Sequence, residues 1–231
     1  MRPATLRDAR KMGLFPGVTS IIKCAAAPGL ERWKQDQVLM AALTLPRIDG
    51  ETSEQLCARI LADSGEQARV ARDKGTQIHA AIQGHYEGKP PDESMWEYVK
   101  GAVAAIDANF GPQQWVSEKP CAHPMGYGTK ADLHCEWTVL DFKGADFDAS
   151  NVATLKTRDE HAMQLAATRM ALSLPRADCA IVYVSRCSPG LARVIRIDDA
   201  ELERGWSMFR SLLEFWQAKS NYRPQSFREA A

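Results

Sequence analysis

The hydrophobic periodicity of this chain first changes after Gly111-Pro112, and a chain that is helical up to such a point and mixes strands with helices after it is confined to a few α/β layouts. Upstream, Gly17-Val18-Thr19-Ser20-Ile21-Ile22 reads as a short extended piece or a helix start, with Thr19 or Ser20 as N-cap. A helix is predicted from Pro28 through the 31–42 stretch. A second is predicted from Ser53, which can cap it, through Leu56, Ile60 and Leu61 toward Gln83. Gly84, Gly88, Pro90 and Pro91 mark a loop. Residues 95–110 then carry Tyr98, Val99, Val103 and Ile106 on one side of a further helix.

Downstream, the runs Trp115-Val116, Ala131-Asp132-Leu133 and Thr138-Val139-Leu140 suggest paired strands. Polar residues 143–151 form a connection, and residues 161–172 read as a helix with Met163, Ala166, Ala167 and Met170 on one side. Two apolar runs, 179–184 and 192–197, flank Ser188-Pro189-Gly190 as a hairpin. Asp198 or Asp199 can cap a last helix running to about Lys219. With 231 residues and 45% hydrophobic composition, one domain with one sizeable core is expected, mainly helical over 1–110 and carrying the sheet and last helix over 111–220.

Charge and cysteine content exclude some classes. The 29 basic and 29 acidic residues cancel, so contact with nucleic acid must come from a local basic face. Six scattered cysteines form no CxxC pair, which argues against a zinc site or redox motif and for reduced thiols in a cytoplasm. The longest apolar stretches fall well short of the roughly twenty residues a membrane-spanning helix needs. Arg2, Arg7, Arg10 and Lys11 precede no long apolar region, so a secretory signal is not expected and a mitochondrial presequence is the lesser alternative.

The chemistry concentrates on two carboxylates. Asp132 and Asp141 both sit on predicted strands, where acids are depleted and costly to bury unless a metal or cation compensates them. A turn at Glu136-Trp137 would set Asp132 directly opposite Asp141, with Cβ atoms roughly 5 Å apart, close enough to share one hard cation. Glu-Trp is not a favoured two-residue turn, and a longer loop would shift this register. Lys143, two residues beyond Asp141, shares its face. Two acids and an ammonium can bind Mg²⁺, activate water and neutralise charge developing on a phosphate, with the Phe142 backbone carbonyl as a further ligand. An acid-x-Lys triplet alone means little, since about one or two arise by chance in such a chain. Glu87-Gly88-Lys89 is one, in a Gly/Pro loop with no strand before it.

Taken together, Gly75-Thr76-Gln77-Ile78-His79, Gly128-Thr129-Lys130-Ala131-Asp132, Leu140-Asp141-Phe142-Lys143 and Gln164-Leu165 resemble, in order, the G-T-x-x-H helix, G-x-x-D strand, D-x-K strand and following helix of the RecB-like exonuclease branch of the PD-(D/E)xK nucleases. Gly17-Val18-Thr19-Ser20 and the 31–35 stretch also resemble the start of mitochondrial and phage exonucleases of this group, so the likeness runs over about residues 15–218. It implies a central mixed sheet flanked by helices, Mg²⁺ or Mn²⁺ dependence, and hydrolysis of DNA phosphodiesters in phage or bacterial recombination, repair or DNA processing. DNA is then the partner, and a recombination protein a further candidate.

Carried over by position, His79 would approach the metal, Asp132 and Asp141 would be the principal ligands, Lys143 would act on the attacking water and Gln164 would support the site. Glu118 resembles the family's additional strand acid. Position 168 is Thr where the family often has Tyr, and the nine-residue spacing from Asp132 to Asp141 implies a tight hairpin. Some relatives carry an iron–sulfur cluster on one early and three late cysteines; only Cys179 and Cys187 are late here, so none is expected. Lys156, Arg158 and Arg169 follow the site as phosphate contacts or as an ordinary solvated surface. A structure-specific endonuclease and a catalytically silent DNA-binding module of the same fold are the alternatives to an exonuclease.

Overall fold

The structure, a computed structural model, describes residues 5–26 and 28–224. Helices α1 (Leu6–Met12), α2 (Val18–Ile22), α3 (Pro28–Thr44), α4 (Ser53–Tyr86) and α5 (Trp96–Phe110) precede strands β1 (Val116–His123), β2 (Tyr127–His134) and β3 (Thr138–Ala145). Helix α6 (Asp159–Ala171), strands β4 (Asp178–Ser185) and β5 (Ala192–Ile197), and helix α7 (Asp199–Ser220) complete the order. The predicted succession of helices, three strands, helix, hairpin and helix is the one observed.

Helix boundaries differ from expectation where the cap chemistry differs. Gly17, and neither Thr19 nor Ser20, is the N-cap of α2, because the helix begins at Val18 and no side chain caps it. Thr52, and not Ser53, caps α4: its hydroxyl accepts the Gln55 N–H at 3.3 Å while the Gln55 side chain accepts the Thr52 N–H at 2.9 Å. Met95 closes a 3-10 turn over Glu93–Met95 ahead of α5. Asp198 caps α7, accepting the Glu201 N–H at 2.8 Å. No helix among the described residues is long and apolar enough to cross a membrane.

The five strands form one sheet in the order β1-β2-β3-β4-β5, antiparallel except for the β3–β4 pair. A parallel pair needs a crossover, and α6 supplies it. Strand β3 carries Asp141 as expected and continues into residues read as the start of the polar connection: its parallel ladder with β4 runs from Thr138↔Asp178 to Ala145↔Ser185, so Lys143 through Ala145 belong to the sheet. Leu133, Leu140, Phe142, Ala180 and Val182 pack with Ile82, Val99, Ala102 and Ile106 of α4 and α5. On the other face, Val139, Ile181 and Tyr183 pack with Leu165 and Ala166 of α6 and Leu202 of α7. A third cluster joins Tyr127 to Val18, Ile21, Met163, Phe209 and Leu213.

The chain divides into two compact units, residues 1–25 with 78–231, and residues 26–77. The first holds the sheet, α5 to α7 and the last turns of α4 from Ile78. The second holds α3 and the remainder of α4, tied by the paired side chains of Arg59 and Glu51 at 2.6 Å and by Arg59 donating to the Pro46 carbonyl.

Helix α7 lies against α6 at Gly205, where an added Cβ would stand 2.6 Å from the Ala162 carbonyl carbon and 2.7 Å from its oxygen. Those neighbours are backbone and cannot rotate away, so a methyl group must push the helices apart. Gly205→Ala is expected to destabilise the fold by about 1–3 kcal/mol and lower the thermal midpoint by several degrees. A calorimetric scan checks this, and an unchanged midpoint would mean that α7 can slide on α6 without cost.

Candidate active site

The β2–β3 hairpin turns at Glu136-Trp137, closed by the Cys135 N–H donating to the Thr138 carbonyl at 2.9 Å. Leu133 pairs with Leu140 and His134 with Val139, the register expected from the sequence. There the backbone pairing of the two strands ends. The next opposed residues are Asp132 and Asp141, and Asp132 takes over the ladder's work with its side chain: its Oδ2 accepts the Phe142 N–H at 2.8 Å. The same oxygen lies 2.9 Å from His79 Nε2 on α4, whose ring meets the Phe142 ring edge-on at 5.5 Å.

Asp141 is buried and turns to β3 and α6. Gln164 donates from Nε2 to its Oδ1 at 2.6 Å, Lys143 Nζ donates to Gln164 Oε1 at 3.1 Å, and Lys143 Nζ lies 2.7 Å from Asp141 Oδ2. This closed ring allows one orientation of the Gln164 amide, nitrogen toward the carboxylate and oxygen toward the ammonium. Burial pushes the Asp141 carboxyl above the usual carboxylate range, against the Lys143 charge that draws it down, and the neighbouring Asp132 charge adds to the rise.

Glu118 completes the centre from β1. Ser117↔Leu133 and Lys119↔Ala131 flank it, so the register places Glu118 opposite Asp132. Its φ of 53° lies in the left-handed region, which costs a non-glycine residue roughly 1–2 kcal/mol and is most often kept where a site requires it. The side chain is only 10% exposed; Oε2 contacts the Lys130 ammonium, and Oε1 lies 4.0 Å from His79 Nδ1. His79 thus stands between the two acids. Burial alone would lower its pKa, but the bond to Asp132 and the charges of Asp132 and Asp141 raise it on balance.

One ligand atom from each of His79, Glu118 and Asp132 falls within 4.8 Å of the others, a spacing that suits a single cation. Two buried carboxylate oxygens, Glu118 Oε2 and Asp141 Oδ2, have ammonium neighbours but no aligned hydrogen-bond donor. Hard oxygen donors with spare lone pairs beside an imidazole fit a divalent ion.

The remaining sequence candidates separate. Lys156 and Arg158 are exposed, with Arg158 3.8 Å from Glu160. Arg169 does not reach the surface as a phosphate contact would require: it is 7% exposed, donates to the Ala177 carbonyl, and pairs with Asp199 at 3.4 Å. Its guanidinium thus bridges a buried carbonyl and the exposed carboxylate of Asp199. Thr168 is also buried, its hydroxyl 3.1 Å from that of Thr129 on β2.

Two residues near the centre were not singled out from the sequence. Lys130 precedes Asp132 by two strand positions, and that parity was the available signal. His161 lies one helical turn before Gln164, accepts the Arg158 N–H at Nδ1 (3.2 Å), and is pushed down to about 4 by burial and by the charges of Lys143 and Arg158, so it stays neutral. Nothing in its spacing marked it.

No family model and no curated protein sequence matches the chain. Solved structures similar to it include an alkaline exonuclease from Laribacter hongkongensis, 14% identical over 92% of this chain and 96% of that one, with a TM-score of 0.43. A structure of that exonuclease with dAMP is 16% identical over 83% and 98% of the two chains, at 0.34. A protein described as a putative exonuclease from Eubacterium rectale is 11% identical over 68% and 72%, at 0.46. Likeness of this degree leaves the functional case to the residues themselves.

An acid whose folded pKa is raised destabilises the fold while it is ionised; that cost starts to fall as pH drops through the folded value and is gone only below the unfolded one. In divalent-free buffer at pH 8, Asp141→Asn is therefore expected to raise the thermal midpoint by a few degrees. The gain should shrink as pH drops through about 6, where Asp141 takes up its proton. A pH series of melting curves tests this; a variant less stable than wild type at pH 8 would show that the Lys143 and Gln164 contacts outweigh the burial cost.

Proposed function

We propose that this protein is a divalent-metal-dependent nuclease of the PD-(D/E)xK type that hydrolyses DNA phosphodiester bonds, most simply as an exonuclease serving recombination, repair or DNA processing in a phage or bacterium. One observation supports this above the others: where β2 and β3 stop pairing, Asp132, Asp141, Lys143, Gln164, His79 and Glu118 converge from three strands and two helices. No requirement of the fold explains such a concentration of ionisable groups, which is costly to assemble.

Asp132, His79 and Glu118 would hold the metal, with Asp141 and the Phe142 carbonyl as further donors from β3. Mg²⁺ or Mn²⁺ bound there would polarise a phosphate oxygen and make a coordinated water more acidic. The protein's own groups do the rest. Lys143 gives one of its three N–H donors to Gln164 and is partly open to solvent, so it can direct the others at a water or a phosphate oxygen. Asp141 fixes the ammonium, and Gln164 fixes both. Neutral His161 adds no competing charge beside Lys143. Lys156 and Arg158, exposed just ahead of α6, are the proposed contacts for the DNA backbone.

The test is cleavage of end-labelled linear single- and double-stranded DNA alongside closed circles, with Mg²⁺, Mn²⁺ or EDTA, by wild type and Lys143→Ala. Cutting of linear DNA that needs the metal and falls at least about a hundredfold in the variant is expected. Cutting of circles would make the enzyme an endonuclease. A folded wild type that cuts nothing with either metal, while still binding DNA, would make it a silent binding module.

A further inference from the structure

The proposed metal centre already contains a cation of its own. Lys130 lies two positions before Asp132 on β2 and reaches across to β1, where its ammonium contacts Glu118 Oε2. The carboxylate is enclosed, at 10% exposure, whereas the lysine side chain is 58% exposed. The acid is therefore fixed, held further by its left-handed backbone, and the ammonium is the partner that can leave for water. Across the centre, Asp132 takes His79 Nε2 and the Phe142 N–H, neither of which occupies Glu118. Without Lys130, the remaining ion-pair neighbour of the enclosed Glu118 among the described residues would be His79, 4.0 Å away.

We propose that Lys130 is a tethered monovalent cation that neutralises Glu118 in the metal-free protein and is displaced when a divalent ion binds to His79, Glu118 and Asp132, so that it sets the affinity of the centre for metal. The inference rests on the reading of this cluster as a metal site. It assigns Lys130 a positioning role: it keeps Glu118 in its ligand orientation while the centre is empty, and it opposes occupancy by ions that cannot outcompete an ammonium. An ordinary surface ion pair would do neither, since exposed pairs are worth little and neither partner would be held in place.

Calorimetric titration of the full chain with MnCl₂ reads this directly, without reference to activity. Lys130→Met keeps the apolar stem and removes the charge, and it is expected to bind Mn²⁺ about tenfold more tightly than wild type. Lys119→Met removes a charge next to Glu118 in sequence, and it should change the affinity less than about threefold because only the screened field is altered. Lys130→Arg, which preserves the charge, should stay within about threefold of wild type. Equal gains in the two methionine variants would reduce Lys130 to one member of a general positive field and overturn the proposal, as would a Lys130→Met variant that binds Mn²⁺ no better than wild type. Failure of folded wild type to bind Mn²⁺ at all would remove the metal site itself, and the nuclease reading's metal requirement with it.

Discussion

The hydrogen bond from the Phe142 N–H to the Asp132 carboxylate is the contact on which the rest of the centre depends. In an uninterrupted hairpin a backbone carbonyl of β2 would stand there. A carboxylate in its place forms a charge-assisted bond of roughly 1.5–3 kcal/mol, enough to hold the acid while the ladder is given up beyond Leu133 and Leu140. The exchange has two consequences. It orients Asp132 without using its outer lone pairs, and it leaves a break in the sheet into which side chains from both faces can reach. His79 enters from α4, Gln164 from α6, and Glu118 from the neighbouring strand.

Charge inside that break is arranged in alternation. Asp141 meets Lys143, Asp132 meets His79, and Glu118 meets Lys130, so that each enclosed acid has a basic neighbour. The pairs are not equivalent. The Asp141–Lys143 pair is closed by Gln164 and sits in the sheet, whereas the Glu118–Lys130 pair ends in solvent on one side. A divalent ion entering the centre would therefore meet least resistance at Glu118. The raised pKa values of Asp141 and His79 follow from the same crowding: the acid is deprived of water, and the imidazole is surrounded by negative charge.

Most of this frame was legible in the sequence because it rests on local chemistry. A turn placed at Glu136-Trp137 was enough to give the hairpin register, even though that pair lacks the glycine or asparagine that such turns favour. Tertiary pairing, here the antiparallel pairs on one side of β3 and the parallel β4 ladder on the other, overrode that preference. The same ladder carried β3 through Ala145, past polar residues that read as a loop. What could not be read were facts about neighbours distant in sequence. Arg169 looked like any charged residue on a helix, and only the folded chain shows that it is covered and bonded to the Ala177 carbonyl, with the exposed Asp199 as its ion-pair partner. The left-handed backbone of Glu118 and the reach of Lys130 across two strands likewise belong to the folded sheet.

Helix α6 explains how a broken hairpin can still hold a defined site. Tyr127 on β2 donates its hydroxyl to the Ala167 carbonyl of α6 at 3.0 Å, and Thr129 on β2 bonds Thr168 of α6. On the other side of the break, Asp141 of β3 is bonded to Gln164 of the same helix. The two strands that no longer pair directly are thus both fastened to one rigid element, and the width of the opening is set by the helix and not by the ladder. Threonine at position 168 takes part in that fastening through its hydroxyl. The close approach of Gly205 to Ala162 then makes the seat of α7 part of the geometry of this side-chain cluster, since any shift of α6 moves Gln164 relative to Asp141 and changes the gap between Asp132 and Asp141 together with it.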